Sequence, residues 1–507
     1  MAIAKRNVAQ PISLPAPIGG WNARDALPAM APTDAPILTN WYPATTECVM
    51  RNGYSKFATG ITGQVETLMA YSKGNTANQL FAIAGGKVYD VSAGGAVGAA
   101  VVTGLSNSRW QYTNIATAGG TFLSMANGVD APYVYNGTTW TNPAITGVTA
   151  THLDSPILYA NRQFFIEAGT LKTWYLPVDS IAGAAQPIDV AAFMTKGGYI
   201  VDHGTWTIDA GQGVNDHYVI ITNRGQVIVY QGSDPASSTT WAMVGVWDIG
   251  APVGARSMYK YAGDMLIITQ DGVVPLSGAL QSSRVQPRVA LTDKIQYAIS
   301  AAVTSYAGNF GWQLMYVPTI NQLWLNVPVS EGTNQQQYVM NTITGSWCNF
   351  TGWNANCMEM YLDEPYFGGK GYVAHAWNTN SDAGTNITAY GLQAFNNFNN
   401  AGTLKRFTMS RPVIRSDGVP TIFAGVNVDF NLTDSTASLT FSPPNYGTWD
   451  SAIWDLSKWG GEVRVLQNWQ GVNGVGYYGA PVVKVASSVL DVRWVSTDLV
   501  IEGGGIL

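Results

Sequence analysis

Residues 218–230 and 265–276 state one structural phrase twice, and that doubling limits what the chain can fold into. Tyr218–Tyr230 reads YVIITNRGQVIVY, and Met265–Leu276 reads MLIITQDGVVPL. In each, a β-branched run ends in Thr, a polar pair and a Gly make the turn, and a second short strand leaves. This is the pattern of a β-hairpin. Its return 47 residues on, Tyr218 to Met265, implies a chain assembled from hairpin units. Further starts lie near Leu80 (LFAIAGGKVYDV), Phe122 (FLSMANGVDAPYVY), Ile157 (ILYANRQFFIEAGTLKTWYL), Leu323 and Tyr366 (YFGGKGYVAHAW). They are about 35 to 60 residues apart, close to the roughly 40–50 of a propeller blade. Trp140 (NGTTW), Trp241 (STTW) and Trp347 (TGSW) recur near unit ends. There an aromatic would pack one blade on the next. The expected fold is all-β, with a degenerate β-propeller of about six to eight blades over residues 61–405.

The ends of the chain read differently. Residues 1–60 begin Pro-punctuated and aperiodic, which predicts an extended N-terminal arm leading into a first strand. From about Arg411 the sequence carries long alternating strands without blade spacing, IFAGVNVDFNLTD and GAPVVKVASSVLDVRWVSTDLVIEG. These predict a β-sandwich-like platform or interface domain over 406–507, interrupted by a Trp-rich loop at Trp449–Trp459. The long gap between Trp174 and Trp206, including Ile188–Met194, leaves room for one short helix or an insertion.

Composition agrees with strands and with packing. Only 11% of the 507 residues are charged, against roughly 25% in an ordinary soluble protein. Few Lys and Glu remove the usual helix formers, while 55 Gly, 18 Trp and 25 Tyr suit turns and strands. A low-charge, aromatic-rich surface also suits subunit contacts. The net charge of −6 argues against a protein that coats nucleic acid. Cys48, Cys348 and Cys357 form neither a disulfide framework nor a zinc motif and read as buried thiols, although a Cys348–Cys357 pair is conceivable. No signal-peptide core follows Lys5 and Arg6, and no stretch approaches about 18 consecutive apolar residues.

Catalytic constellations are scarce. His152, His203, His217 and His375 have no partner at HxH or HExxH spacing, and neither a GxSxG elbow nor a phosphate loop occurs. Asp209, Asp216, Asp264, Asp271, Asp363 and Glu364 could supply the paired carboxylates of a glycosidase, but they sit where turns favour Asp. NGTTW at Asn136–Trp140 is similar to the tail of a sialidase aspartate-box turn, with Tyr135 in the aspartate position. Asn380–Asn386 (NSDAGTN) offers oxygen ligands, yet Asp382 is its only acid, which favours a polar turn over a Ca²⁺ site. The Trp-Asp pairs at 449–450 and 454–455 lack repeat spacing and are not WD repeats. Lys405, Arg406, Arg411 and Arg415 stand with no acid between them, as a solvated strand edge or a docking patch would. The expectation is a protein without catalytic residues, metal or cofactor.

Three passages carry a family resemblance. Gly19–Tyr54 reads GGWNARDALPAMAPTDAPILTNWYPATTECVMRNGY, with a Gly-Gly start, a Pro-Thr-Asp-Ala step, an Asn-Trp-Tyr-Pro and an Arg-Asn-Gly-Tyr. Trp206–Leu276 carries VYQGSDP and GAPVGARSM, and Met340–Trp377 carries TGSWCNFTGWNANCMEM and YFGGKGYVAH. Together they resemble the tail nozzle (tail tubular) proteins of short-tailed bacteriophages. The resemblance implies a β-propeller on each subunit and a platform domain that makes a sixfold ring below the portal and its adaptor. It further implies a lumen through which genomic DNA leaves without sequence-specific binding, tail fibres or spikes as neighbours, and residence in the virion tail after assembly in the bacterial cytoplasm. Trp21, Arg24, Trp41 and Arg51 in the first passage, with Lys405, Arg406, Arg411 and Arg415, are the candidate partner-contact residues. The competing expectation is a propeller tail protein that binds or cleaves host-surface glycans, because Trp and Tyr stack on sugars as readily as on subunits.

Overall fold

The computed structural model describes residues 9–74, 78–207, 216–280, 290–433, 438–439 and 464–503. Strands dominate, and the α-helices among the described residues are Leu276–Leu280 and Gln296–Tyr306. Two compact units divide the chain. One takes Lys56–Gln336 and Trp353–His375; the other takes Met1–Ser55, Gln337–Gly352 and Ala376–Leu507.

The first unit is a succession of antiparallel meanders in a propeller-like arrangement of blades. Strand Gly53–Tyr71 pairs through its second half with Gln79–Ala84, followed by Lys87–Asp90 and Val102–Thr103. Next come Gln111–Thr117, Gly120–Ala126, Tyr133–Tyr135 and Trp140–Thr141. Leu153–Tyr159, Arg162–Glu167, Lys172–Tyr175 and Gln186–Asp189 form the third sheet. Ile200–Thr207, Asp216–Thr222, Gln226–Gly232 and Trp241–Asp248 form another. The three-stranded Met258–Tyr261, Asp264–Thr269 and Gly272–Pro275 precede the pair Gln313–Val317 and Gln322–Ser330. Cys357–Tyr361, Glu364–Gly368 and Lys370–Thr379 come last, and Gly53–Tyr71 lies beside that final strand.

The leading strands form the hub. Gln111–Thr117 lies against Leu153–Tyr159, which lies against Ile200–Thr207, and Met258–Tyr261, Gln313–Val317 and Cys357–Tyr361 continue the series. Hydrogen bonds tie both ends of the series to the long first strand. The Trp110 amide donates to Thr67 Oγ1 at 3.0 Å, and the Val65 amide donates to Gly369 O at 3.1 Å.

The doubled phrase folds as two hairpins, Asp216–Gly232 and Asp264–Pro275. Their central strands are buried on both faces, because blades stack face to face. That is why they read as unbroken apolar runs. At the first turn Gly225 has φ +74°, and a Cβ there would lie 2.4 Å from Ile249 O, so only glycine fits. Trp140 packs edge-on to Phe81 of the preceding sheet at 5.1 Å. Trp241 stacks on Tyr230 at 5.2 Å and reaches Tyr159 of the preceding sheet at 6.0 Å. Both occupy the inter-blade position expected of them; Trp347 is buried in the other unit. The segment Ile188–Met194 holds the end of strand Gln186–Asp189 and turns rather than a helix.

Two larger sheets dominate the described residues of the second unit, beside the small parallel pair Gly20–Trp21 and Asp34–Ala35. In one, Lys405–Ser416 pairs with Val492–Gly503, which also takes Gln10–Pro15 and Cys48–Met50. The other aligns Trp347–Thr351, Ile37–Thr39, Ile387–Leu392, Gly479–Ser487 and Thr421–Val428. Trp41 and Trp494 of the first sheet face Gly391 of the second, where a Cβ would lie 2.7 Å from Trp494. The expected boundaries at 60 and 405 do not coincide with this division. Residues 10–50 supply strands to this unit instead of running as a separate arm, and 337–352 and 376–405 belong with the C-terminal strands. Their pairing partners lie hundreds of residues away, beyond the reach of local periodicity.

Candidate functional site

Arg51 is the most heavily engaged of the candidate residues. Its side chain is fully buried and pairs with both carboxylate oxygens of Asp382, at 2.8 and 2.6 Å. Nε donates to Asn40 Oδ1 at 2.8 Å, and the remaining N–H groups reach the carbonyls of Asn52 and Thr351. Phe350 lies against the guanidinium at 5.8 Å. Asn40 sits at φ 57°, a conformation Asn tolerates, and its amide donates to Thr388 O and Thr351 Oγ1. Gly53 completes the node, because a Cβ there would lie 1.9 Å from Ser381 O. Trp41 is buried with its ring 5.9 Å from Trp494. The Asn-Trp-Tyr-Pro and Arg-Asn-Gly-Tyr steps therefore bind the chain to itself. Asp382 is a guanidinium partner in the polar turn, not a Ca²⁺ ligand.

Trp21 is half-buried with its ring edge-on to Tyr338 at 5.1 Å, and exposed Arg24 pairs with its neighbour Asp25 at 2.8 Å. The basic cluster, acid-free along the sequence, meets acids across the sheet. Strand register puts Arg406 opposite Glu502 and Arg411 opposite Asp498. Arg411 holds Asp498 Oδ2 at 2.9 and 2.6 Å and lies over Trp469 at 4.6 Å. Arg406 is 3.9 Å from Glu502. Glu47 bridges Arg415 and Arg493 at 3.0 and 3.1 Å. Lys405 is buried, donating to the carbonyls of Asn400, Thr403 and Tyr477. These residues form a charge-paired sheet face and an internal cap instead of an open basic patch.

His203, His217, His375, Asp216 and Asp264 have structural contacts, whereas His152, Asp271 and Asp363 are exposed. His203 is enclosed between Tyr218 Oη at 2.6 Å and Ser155 O at 2.5 Å, and burial pushes its pKa down to about 4. His217 packs beside Trp206, and His375 stacks on Tyr366. Asp216 accepts from Thr207, and Asp264 accepts from the Met265 and Ser277 amides. Asn136 Oδ1 takes the amides of Thr138 and Thr139, so NGTTW is an Asx turn. Asp209, Trp449–Trp459 and its Trp-Asp pairs lie outside the described residues. Cys48, Cys348 and Cys357 are buried free thiols, and burial raises all three, Cys357 to about 12. Among the described residues no three His, Cys, Asp or Glu side chains gather as metal ligands would.

The polar centre that sequence motifs do not reveal is Arg256, in GAPVGARSM. It leaves the loop before Met258–Tyr261 and reaches three other sheets. Its N–H groups donate to Thr67 Oγ1 at 2.9 Å, to the carbonyls of Glu66 and Trp110, and to Gln111 and Gln313 Oε1. Near it Glu359 hydrogen-bonds Tyr112, and desolvation pushes its carboxyl up to about 7. Desolvation likewise raises Asp154 to about 6 and Asp202 to about 7. A lone Arg among small residues has no spacing signal, because its partners come from separate sheets.

The chain matches no protein-family model and no curated protein. Solved structures that align with it include the β-propeller domain of Cps50 (Swd1) from Myceliophteria thermophila. That alignment has 12% identity and a TM-score of 0.41, covering 64% of this chain and 100% of that one. Sqt1 from Saccharomyces cerevisiae aligns at 11% identity with a TM-score of 0.34, over 68% of this chain and 86% of that one. The computationally designed Ika8 protein aligns at 10% identity with a TM-score of 0.38, over 64% and 99%.

Proposed function

We propose that the chain is a structural subunit of a short-tailed phage tail, a nozzle protomer without catalytic activity. It assembles as a ring, sixfold in the family it resembles, around a lumen that retains and then passes genomic DNA, and it contacts the adaptor, portal and fibres or spikes. In this reading the first unit is a seven-bladed propeller. Its first and last blades share strand Gly53–Tyr71, and the second unit is the sandwich-like platform. The observation that carries the reading is the fate of the signature residues: Asn40, Trp41, Arg51 and Gly53 form a buried architectural node. The low charge and the internally paired basic strand fit a wall that does not grip phosphates, since each phosphate contact would add salt-dependent affinity. Electron microscopy and sedimentation of the purified protein are expected to show closed rings, and tail images to place it at the DNA exit. Only free monomers in both settings would sink the reading.

One observation favours glycan binding as a second reading. A groove of about 740 Å³ is lined by Asp216, Gln231, Ser233, Thr239 and Thr240, a hydrogen-bonding set suited to sugar hydroxyls. Tyr159 at its wall is only 3% exposed, which removes the stacking platform that sugar sites commonly use. Glycan-array binding at micromolar affinity, lost in Gln231→Ala, would favour this reading, and an empty array would count against it.

A further inference from the structure

We propose that the cleft bounded by Arg109, Arg256 and Phe310 in the propeller-like unit binds a phosphate-sized oxyanion. The cleft has a volume of about 140 Å³, well above what a single water needs. Gly254 at φ +77°, Ala255 and Gly308 keep its walls low. Two guanidiniums share one aromatic ring, Arg109 at 4.4 Å and Arg256 at 5.2 Å from the centre of Phe310. Both guanidiniums line the same cleft, which favours an anion there.

Arg109 takes two carboxylates, whereas Arg256 takes none in a hydrogen bond. Glu66 accepts from Arg109 Nε at 3.0 Å and is committed there. Every hydrogen-bond partner of Arg256 is neutral: two Gln oxygens, a hydroxyl and two carbonyls. Burial lowers its pKa against the pull of Glu359 and Glu66, the mark of an under-compensated cation. A desolvated charge held by neutral groups alone is only partly compensated, so an incoming anion would gain there.

Glu331 marks how the anion would be held. At the rim, one of its carboxylate oxygens accepts from Arg109 Nη2 and the other from the Phe310 amide at 3.0 Å. A guanidinium N–H beside a backbone N–H is an oxyanion cradle, filled here by a tethered carboxylate. Arg109 and Glu331 side chains are 43% and 41% exposed, and an ion pair so exposed is weak enough to be displaced. A free oxyanion that displaces Glu331 keeps both donors and enters the cleft that Arg256 also lines.

The inference does not rest on the nozzle reading, since binding can be measured whether or not rings form. The test is calorimetric titration of the full chain with inorganic phosphate, plus melting in phosphate against sodium chloride of equal ionic strength. Saturable binding and a phosphate-specific rise in Tm are expected. Arg256→Gln should weaken binding at least about tenfold, the scale of a lost charge-assisted bond. Should that variant misfold, the more exposed Arg109→Gln should weaken binding as well. Glu331→Gln, which removes the competing carboxylate, should tighten binding roughly twofold to fivefold. Deoxythymidine monophosphate run alongside separates sources: binding of phosphate alone assigns a free anion, and binding of both assigns the phosphate group wherever it is carried. Equal effects of phosphate and chloride, unchanged binding in Arg109→Gln, or weaker binding in Glu331→Gln would overturn the proposal.

Discussion

At the scale of single residues, fully enclosed charge decides more than exposed charge. Arg51 and Asp382 are both out of water, so neither tolerates loss of the other. Arg51→Ala is expected to cost about 3–5 kcal/mol, because a buried carboxylate is left unpaired and Asn40 loses a donor. The double variant Arg51→Met with Asp382→Leu should recover part of that loss, since an apolar pair needs no desolvation. Urea unfolding followed by Trp fluorescence measures both; additive losses would show that the pair is not coupled. Glu359 makes a different prediction because it is enclosed beside Tyr112 and Arg256 without an ion pair among the described residues. Its pKa is about 7 in the fold against 4.5 for the free side chain, so between those values the folded chain keeps a proton that the unfolded chain has lost. Stability from this group is therefore full below about pH 4.5 and falls as pH rises through 7. Glu359→Gln should leave stability nearly unchanged at pH 4 and raise it by about 1–3 kcal/mol at pH 8. A difference that stays flat across denaturation curves at pH 4, 6 and 8 would contradict the assignment.

Strands show what was legible in the sequence and what was not. Asp216–Gly232 and Asp264–Pro275 were readable because a hairpin is local: its turn residues, its β-branched runs and its pairing lie within one short window. Trp140 and Trp241 were readable for a related reason, since a meander brings the end of each unit back against its predecessor. Ile387–Leu392 was not. It pairs with Gly479–Ser487 on one side and Ile37–Thr39 on the other, and nothing near it in sequence announces either partner. The same distance made Arg411 look unpaired when Asp498 stands directly across the ladder. Cross-strand pairing needs register, and register between remote strands is set by the assembled sheet. Motif reading fails at Arg256 in the same way, because residues from separate sheets meet there without any fixed spacing. Arg51 was found through its motif, but its role was misplaced: the Arg of an Arg-Asn-Gly-Tyr step reads as a surface contact until Asp382 is seen opposite.

At the scale of the molecule, the chain's path has consequences for how it can be divided. It crosses between the two units at residues 55–56, 336–337, 352–353 and 375–376, so neither unit is a continuous piece. Cutting at the boundaries expected from the hairpin spacing, 61–405, removes the start of strand Gly53–Tyr71, which lies beside Lys370–Thr379. It also leaves Ile387–Leu392 without Gly479–Ser487 and Ile37–Thr39, exposing strand edges and apolar side chains. Residues 56–375 instead lose only the first three residues of Gly53–Tyr71 and the last four of Lys370–Thr379, and carry 337–352 as an excursion. The fragment 61–405 is therefore expected to be aggregation-prone and to melt without a sharp transition, while 56–375 should melt cooperatively. Calorimetry and near-ultraviolet dichroism on the two fragments and the full chain decide it. A cooperative transition in 61–405 matching that of the full chain would mean that the propeller-like unit holds together without the residues of Gly53–Tyr71 that precede 61.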